Sequence, residues 1–147
     1  MKIHSQNMAF IMNLWTINSI ITKKVDACLG SMHGIGFTEF MVLYHLQNTP
    51  NKTMRRIDLA NSIGLTASGV TRLIMPMEKI GLVQKEPHPR DARVSFVKIS
   101  SAGEKILKEA LVTFEETSQQ LLLDTDDRKL VSALEIFRSL GGDSFVK

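Results

Sequence analysis

The sequence predicts a mainly α-helical fold with one small β-hairpin, and three observations predict it. Two short helical patterns stand back to back between residues 53 and 80, divided by Gly64. Two β-prone runs, 82–86 and 93–99, follow at once, joined by a tip of Pro87-His88-Pro89-Arg90-Asp91. Helical patterns without prolines lie on both sides of this block.

Residues 5–28 read as the first helix, free of Pro and Gly and starting at Ser5 as cap. Its apolar residues (Met8, Phe10, Ile11, Leu14, Trp15, Ile17, Ile21 and Val25) cover more than the single stripe of a surface helix. Such a helix is expected to be buried on several sides, in part by a second subunit. Residues 30–36 read as a loop. Thr38 is expected to cap the next helix, with Phe37 and Val42 as a hydrophobic staple, and that helix ends near Asn48, ahead of Pro50.

In the pattern over 53–63, Leu59, Ala60 and Ile63 share a face; Gly64 supplies the turn. Thr66 caps the following helix, which runs to Ile80 and closes at Gly81. Val70, Leu73, Ile74, Met77 and Ile80 form its apolar face, leaving Ala67, Ser68, Thr71, Arg72 and Met75 opposite. Two prolines and charged residues suit 87–91 to a hairpin tip. Ser101-Ala-Gly-Glu104 matches a capping box, and the helix after it places Leu107, Ala110, Leu111, Phe114 and Leu121 on one face. Asp124, Asp126 and Asp127 mark the start of a last helix, where the macrodipole favours anions. Leu130, Leu134, Phe137 and Leu140 form its stripe, and Gly141-Gly142 ends it.

With 147 residues, 44% hydrophobic and 22% charged, the composition is that of a globular domain and excludes disorder and low-complexity tracts. One domain of this length buries a core of useful size. Apolar runs fall short of a membrane span, and 1–10 lacks the layout of a secretory signal. The single cysteine, Cys28, excludes an intrachain disulfide framework and a multi-cysteine zinc site, which points to a reducing, cytoplasmic location. The net charge of +3 is uneven: +1 over 1–51, +5 over 52–98 and −3 over 99–147. A basic middle between near-neutral flanks suits a module that faces a polyanion.

Two short helices about a glycine, followed by a hairpin with a basic tip, describe a winged helix-turn-helix. The DNA major groove admits one α-helix, which must bury one face on the protein and offer small or polar side chains on the other. The segment 66–75 meets that requirement. Ser68 and Thr71 are short and carry hydroxyls, Gly69 removes bulk, and Arg72 is long enough for a phosphate or a guanine edge. Arg90 and Arg93 on the hairpin can enter an adjacent minor groove, whose negative potential draws arginine. Asp91, two residues before Arg93, is expected to project from the same face of an extended strand and to hold it in place.

The run 58–83 (DLANSIGLTASGVTRLIMPMEKIGLV), then Pro89-Arg-Asp-Ala-Arg93, then Ser101-Ala-Gly-Glu104, resembles the MarR family of bacterial transcription regulators. The Asp-x-Arg of Asp91 and Arg93 is the sharpest part of the likeness. The resemblance implies a single domain over 1–147, with a winged helix-turn-helix lobe at 37–100 and dimerisation helices at 1–36 and 101–147 that interlock between subunits. It implies a homodimer on a pseudo-palindromic double-stranded operator, more often as a repressor, released by a small-molecule effector or by thiol oxidation. Its DNA contacts would fall on Thr66, Ala67, Ser68, Thr71 and Arg72 of the recognition helix and on Arg90, Asp91 and Arg93 of the wing. Three departures stand out: Pro76 inside the recognition helix, His88 where relatives often carry an acid, and Lys98-Ile99-Ser100 ahead of the next helix, which Ser100 or Ser101 can still cap.

No Gly-x-Ser-x-Gly, P-loop or Gly-x-Gly-x-x-Gly occurs, so no enzyme and no cofactor is expected. His4, His33, His45 and His88 lack metal-ligand spacing. Cys28, with Lys23 and Lys24 upstream, is weighed as a redox sensor against a buried structural thiol, and the latter is preferred. Trp15, Tyr44 and most of the eight methionines are assigned to core packing rather than to a ligand pocket. The expected function is a ligand-responsive, homodimeric DNA-binding regulator. The alternative is a winged-helix module for protein–protein contact without specific DNA binding.

Overall fold

The computed structural model describes residues 5–91, 93–142 and 145, which form six helices and three strands. His4 lies outside the described residues. By contact the chain divides into two compact units, Met1–Glu115 and Glu116–Lys147.

Helix α1 spans Gln6–His33 and starts where Ser5 Oγ accepts the Met8 N–H at 3.2 Å. It passes straight through Gly30, correcting the expected stop at 28 and the loop at 30–36. A glycine inside a helix costs about 1 kcal/mol. Burial of Val25 and Leu29, and a 2.6 Å hydrogen bond between His33 Nε2 and Thr113 Oγ1, offset that cost. The helix stops one turn later at Gly34, which takes the left-handed conformation (φ 69°) that the closing bond to Gly30 requires.

Helix α2 spans Phe37–Gln47. Its cap is Gly36 rather than Thr38. Two carboxylates take over the capping work, because Asp26 Oδ1 accepts the Phe37 N–H at 2.6 Å and Glu39 reaches back to the Gly36 N–H. A 3₁₀ turn, Pro50–Lys52, leads into strand β1, Thr53–Arg55, a segment that the sequence pattern merges with the next helix. Helix α3 therefore starts only at Arg56 and ends at Ile63. Helix α4 spans Ala67–Lys79 and continues through Pro76.

Strands β2, Val83–Pro87, and β3, Ser95–Ile99, pair antiparallel from Val83 opposite Ile99 to Pro87 opposite Ser95. Because β1 pairs with the other edge of β3, with Arg55 opposite Phe96, the wing is a three-stranded sheet of order β1-β3-β2 rather than a bare hairpin. Helix α5 spans Ser101–Leu121. Ser100 Oγ, not Ser101, accepts the Gly103 N–H and also donates to the Gly81 carbonyl. Glu104, the expected partner in the capping box, instead binds Lys52 Nζ at 2.8 Å.

One core fills the first unit. Phe40, Leu43 and Leu46 of α2 meet Leu59 of α3, Val70, Ile74 and Met77 of α4, Val97 and Ile99 of β3, and Leu107 and Ala110 of α5. Each large apolar side chain among them contributes about 1.5–3 kcal/mol on burial. Phe37, Phe40 and Phe114 cluster with ring centroids 4.9–6.3 Å apart. Within the expected stripes of α4 and α5, two positions are exposed instead. Ile80, 63% exposed, is the C-cap of α4, where the chain leaves the helix phase. Leu111 sits at the rim of an α5 stripe centred on Gly103, Leu107, Ala110 and Thr113.

In the second unit, helix α6 spans Asp127–Ser139 and is capped by Asp126, whose Oδ1 accepts the Arg128 N–H at 2.8 Å. Its stripe is only half covered: Leu130 and Leu134 are intermediate, while Phe137 and Leu140 are exposed.

Candidate nucleic-acid interface

The outward face of α4 begins with its cap. Thr66 Oγ1 accepts the Gly69 N–H at 3.1 Å and lies 3.2 Å from Ser68 Oγ. A Cβ on residue 69 would meet that same oxygen at 3.2 Å and Leu65 Cβ at 3.6 Å, so glycine here makes room for the cap rather than for helix–helix packing. With Val70, Ile74 and Met77 buried, the 3.6-residue period forces Thr66, Ala67, Ser68, Thr71, Arg72 and Met75 outward, and all six are exposed. Thr71 Oγ1 donates to the Ala67 carbonyl at 3.2 Å, which leaves its lone pairs toward solvent. Arg72 is the long cationic side chain among these six.

The wing tip is organised by short-range bonds. His88 pairs with Val94 through its backbone N–H, accepts the Arg90 N–H on Nδ1 at 3.0 Å, and stacks its ring on Phe96. Asp91 Oδ1 accepts the Arg93 N–H at 3.0 Å and its Nε–H at 3.4 Å. The expected Asp91–Arg93 pairing is therefore present, but its cause differs. Both residues precede β3 and sit in the turn, so the aspartate closes an Asx-type turn rather than lying beside Arg93 on a strand. The Arg93 side chain is 93% exposed, and Arg90 is also exposed.

Between α4 and the wing runs an open groove of about 590 Å³, lined by Arg56, Thr71, Met75, Glu78, Lys79, Lys85 and Ser95. Arg56 braces it: Nη2 donates to Glu78 Oε1 and Nε to Ser95 Oγ, each at 3.2 Å. Lys79, Lys85 and Arg56 are absent from the sequence-based site. A signal for Lys79 is there, since it continues the i, i+4 row of Ala67, Thr71 and Met75. Where β1 passes into α3, the Asp58 carboxylate accepts a hydrogen bond from Arg55 and raises its pKa above the ordinary arginine value.

The other candidates lie away from this face. Cys28 is half-buried on α1, and Trp15, assigned to the core from sequence, is 81% exposed. Among the described residues no cluster of His, Cys, Asp and Glu could hold a metal ion, and no helix is long and apolar enough to cross a membrane.

The MarR family model matches residues 37–95, from the start of α2 to the first residue of β3. The HTH-type transcriptional regulator YdgJ of Bacillus subtilis is 24% identical over 131 residues, covering 82% of this chain and 76% of the relative. The transcriptional repressor MprA of Escherichia coli K12 is 26% identical over 112 residues, covering 69% of this chain and 64% of the relative's own length. Among solved structures, Sco3205 of Streptomyces coelicolor, a MarR-family transcriptional regulator in complex with DNA, superposes with a TM-score of 0.85 at 20% identity, over 96% of this chain and 89% of that one. The exposed face of α4 and the three-stranded wing with its Asp91–Arg93 turn lie within or at the edge of the segment 37–95, and that segment matches the MarR family.

Proposed function

We propose that the chain is a sequence-specific DNA-binding transcription regulator, a homodimeric, ligand-responsive repressor of a pseudo-palindromic operator. The observation that carries this reading is the juxtaposition of two exposed cationic reaches on one lobe: the polar outward face of α4 with Arg72, and the wing tip with Arg90 and the pre-ordered Arg93. A recognition helix in the major groove and an arginine in the neighbouring minor groove need that pairing. Thr66, Ala67, Ser68, Thr71 and Arg72 would face bases and phosphates, and Arg90, Asp91 and Arg93 would serve the minor groove. The DNA complex of Sco3205 and the repressor MprA support operator binding and repression as the class of activity. Residues 37–100 would be the DNA-binding lobe, and 1–36 with 101–147 the dimerisation helices of a cytoplasmic protein.

The homodimer draws support from α1. Of its 28 residues only Val25 and Leu29 are buried, while Met8, Ile11, Met12, Trp15, Ile17 and Ile20 are open to solvent. An apolar face of this extent is expected to be covered by a symmetric partner. A small ligand that binds DNA-free and DNA-bound states unequally would supply release.

A gel-shift salt titration on genomic fragments recovered with the protein tests the reading. Specific binding should survive excess random DNA and weaken steeply as salt rises, because counterions are released from each neutralised phosphate. Binding no tighter to the recovered fragments than to random DNA sinks it and leaves the protein–protein module.

A further inference from the structure

We infer that the groove between α4 and the wing is the seat of the DNA sugar–phosphate backbone, held by Lys79 and Lys85, and that Arg56 keeps this seat cationic by neutralising Glu78. The inference rests on the DNA-binding reading above and names residues that it does not.

The argument is one of geometry and charge. A helix in the major groove and a wing in the adjacent minor groove are separated by one phosphate strand, since a backbone forms the wall between the two grooves. That strand must cross the protein between α4 and the sheet, and the groove lined by Thr71, Lys79, Lys85 and Ser95 is the open space at that crossing. Lys79 stands on one wall, at the last turn of α4, and Lys85 on the other, in the middle of β2; both are exposed. Neither lysine joins an ion pair among the described residues, so neither must leave a partner to meet a phosphate.

Glu78 brings a carboxylate into this lining, and it would repel a phosphate. Its Oε1 accepts from Arg56 Nη2 at 3.2 Å, and both side chains are only 21% exposed. Arg56 is held from behind by its position, as the first residue of α3 directly after β1, and by its Nε bond to Ser95 at the start of β3. Arg56 is thus a positioning residue with an electrostatic effect. It ties the wing strand to the end of the recognition helix and screens Glu78 from the phosphate strand passing between them.

Phosphate contacts carry no sequence information, so a random duplex of about 30 base pairs, free of any operator, is a sufficient probe. Binding of the full-length protein is followed by fluorescence anisotropy across a salt series. Lys79→Gln and Lys85→Gln should each weaken binding and flatten the slope of log K against log salt by about 0.9 per protomer. Arg56→Gln should weaken binding by more than either lysine variant, and Glu78→Gln placed on top of it should restore most of the loss. A merely structural brace predicts no such rescue, because the double variant still lacks the bridge. Circular dichroism on each variant identifies any that fail to fold, and the two surface lysine variants keep the inference testable if Arg56→Gln does. Unchanged salt slopes in both lysine variants, with wild type binding steeply, overturn this inference alone. Flat, weak binding by wild type itself overturns the DNA-binding reading beneath it. Inorganic phosphate that stabilises the DNA-free protein through Lys79 and Lys85, with DNA slopes untouched, assigns the groove to a free anion and also overturns it.

Discussion

Arg93 shows how little contact a residue needs in order to be prepared for a ligand. Its side chain is almost wholly solvated, and among the described residues Asp91 Oδ1 alone limits it, through one bond to the backbone and one to Nε. As a surface ion pair this is worth about 0–1 kcal/mol of stability. In the proposed DNA complex its larger effect would be on binding, where ordering a long side chain beforehand spares about 0.5–1.5 kcal/mol. Arg93→Ala should therefore lower DNA affinity several-fold while leaving the urea midpoint of unfolding unchanged. Asp91→Ala should lose less, and add little to Arg93→Ala in a double-mutant cycle; a fully additive pair would show that Asp91 acts elsewhere. Gly103 presents the opposite case, a residue with no room at all. A Cβ there would collide with the Leu82 carbonyl oxygen and with Ile99 Cγ1, where α5 presses on the entry to β2. Gly103→Ala should cost about 1–3 kcal/mol in urea unfolding, with the strain reaching the wing through Leu82.

Among the elements, α4 depends most on its ends. The outward face cannot be pinned by packing, because packing uses the other side; its start is set by Thr66 and its stop by Gly81, whose φ of 81° suits glycine. Thr66→Ala should destabilise the protein by about 0.5–2 kcal/mol and fray the first turn, and Thr66→Ser should recover most of that. Amide exchange at Gly69, the N–H that Thr66 accepts, reads the effect directly: it should quicken in the alanine variant and stay slow in the serine one. The wing sheet explains a difference between sequence and structure at this scale. Thr53–Arg55 is too short to show a strand periodicity, and its extended form comes from pairing with Lys98, Val97 and Phe96 across β3.

For the whole molecule the open question is an apolar surface. Trp15 lies exposed on α1 amid other large apolar side chains, an arrangement that a lone soluble chain rarely keeps. Sedimentation at micromolar concentration should give a dimer, and thermal unfolding should shift upward with protein concentration. Trp15 emission should be blue-shifted in the dimer and move red on dilution. Ile11→Glu, placing a charge on the same helix, should yield monomers with weakened DNA binding; a stable wild-type monomer with the same emission at all concentrations rejects the dimer.

Local chemistry by itself determined the helix caps at Ser5 and Thr66, the acidic start of the last helix, the glycine turn at Gly64, the split of α4 into a buried stripe and an exposed face, and the basic hairpin tip. Each of these is settled within a few residues, by a side-chain oxygen near an amide, a positive φ or a 3.6-residue period, and so each is legible in order along the chain. Tertiary structure decided what depends on partners far away in sequence. Helix α1 outlasts Gly30 because Leu29 is buried and His33 meets Thr113, and β1 exists because β3 lies beside it. Glu104 leaves its capping box because Lys52 is within reach. The groove is of the same kind: Arg56, Glu78, Lys85 and Ser95 come from four elements, and no local pattern announces that folding sets them around one space.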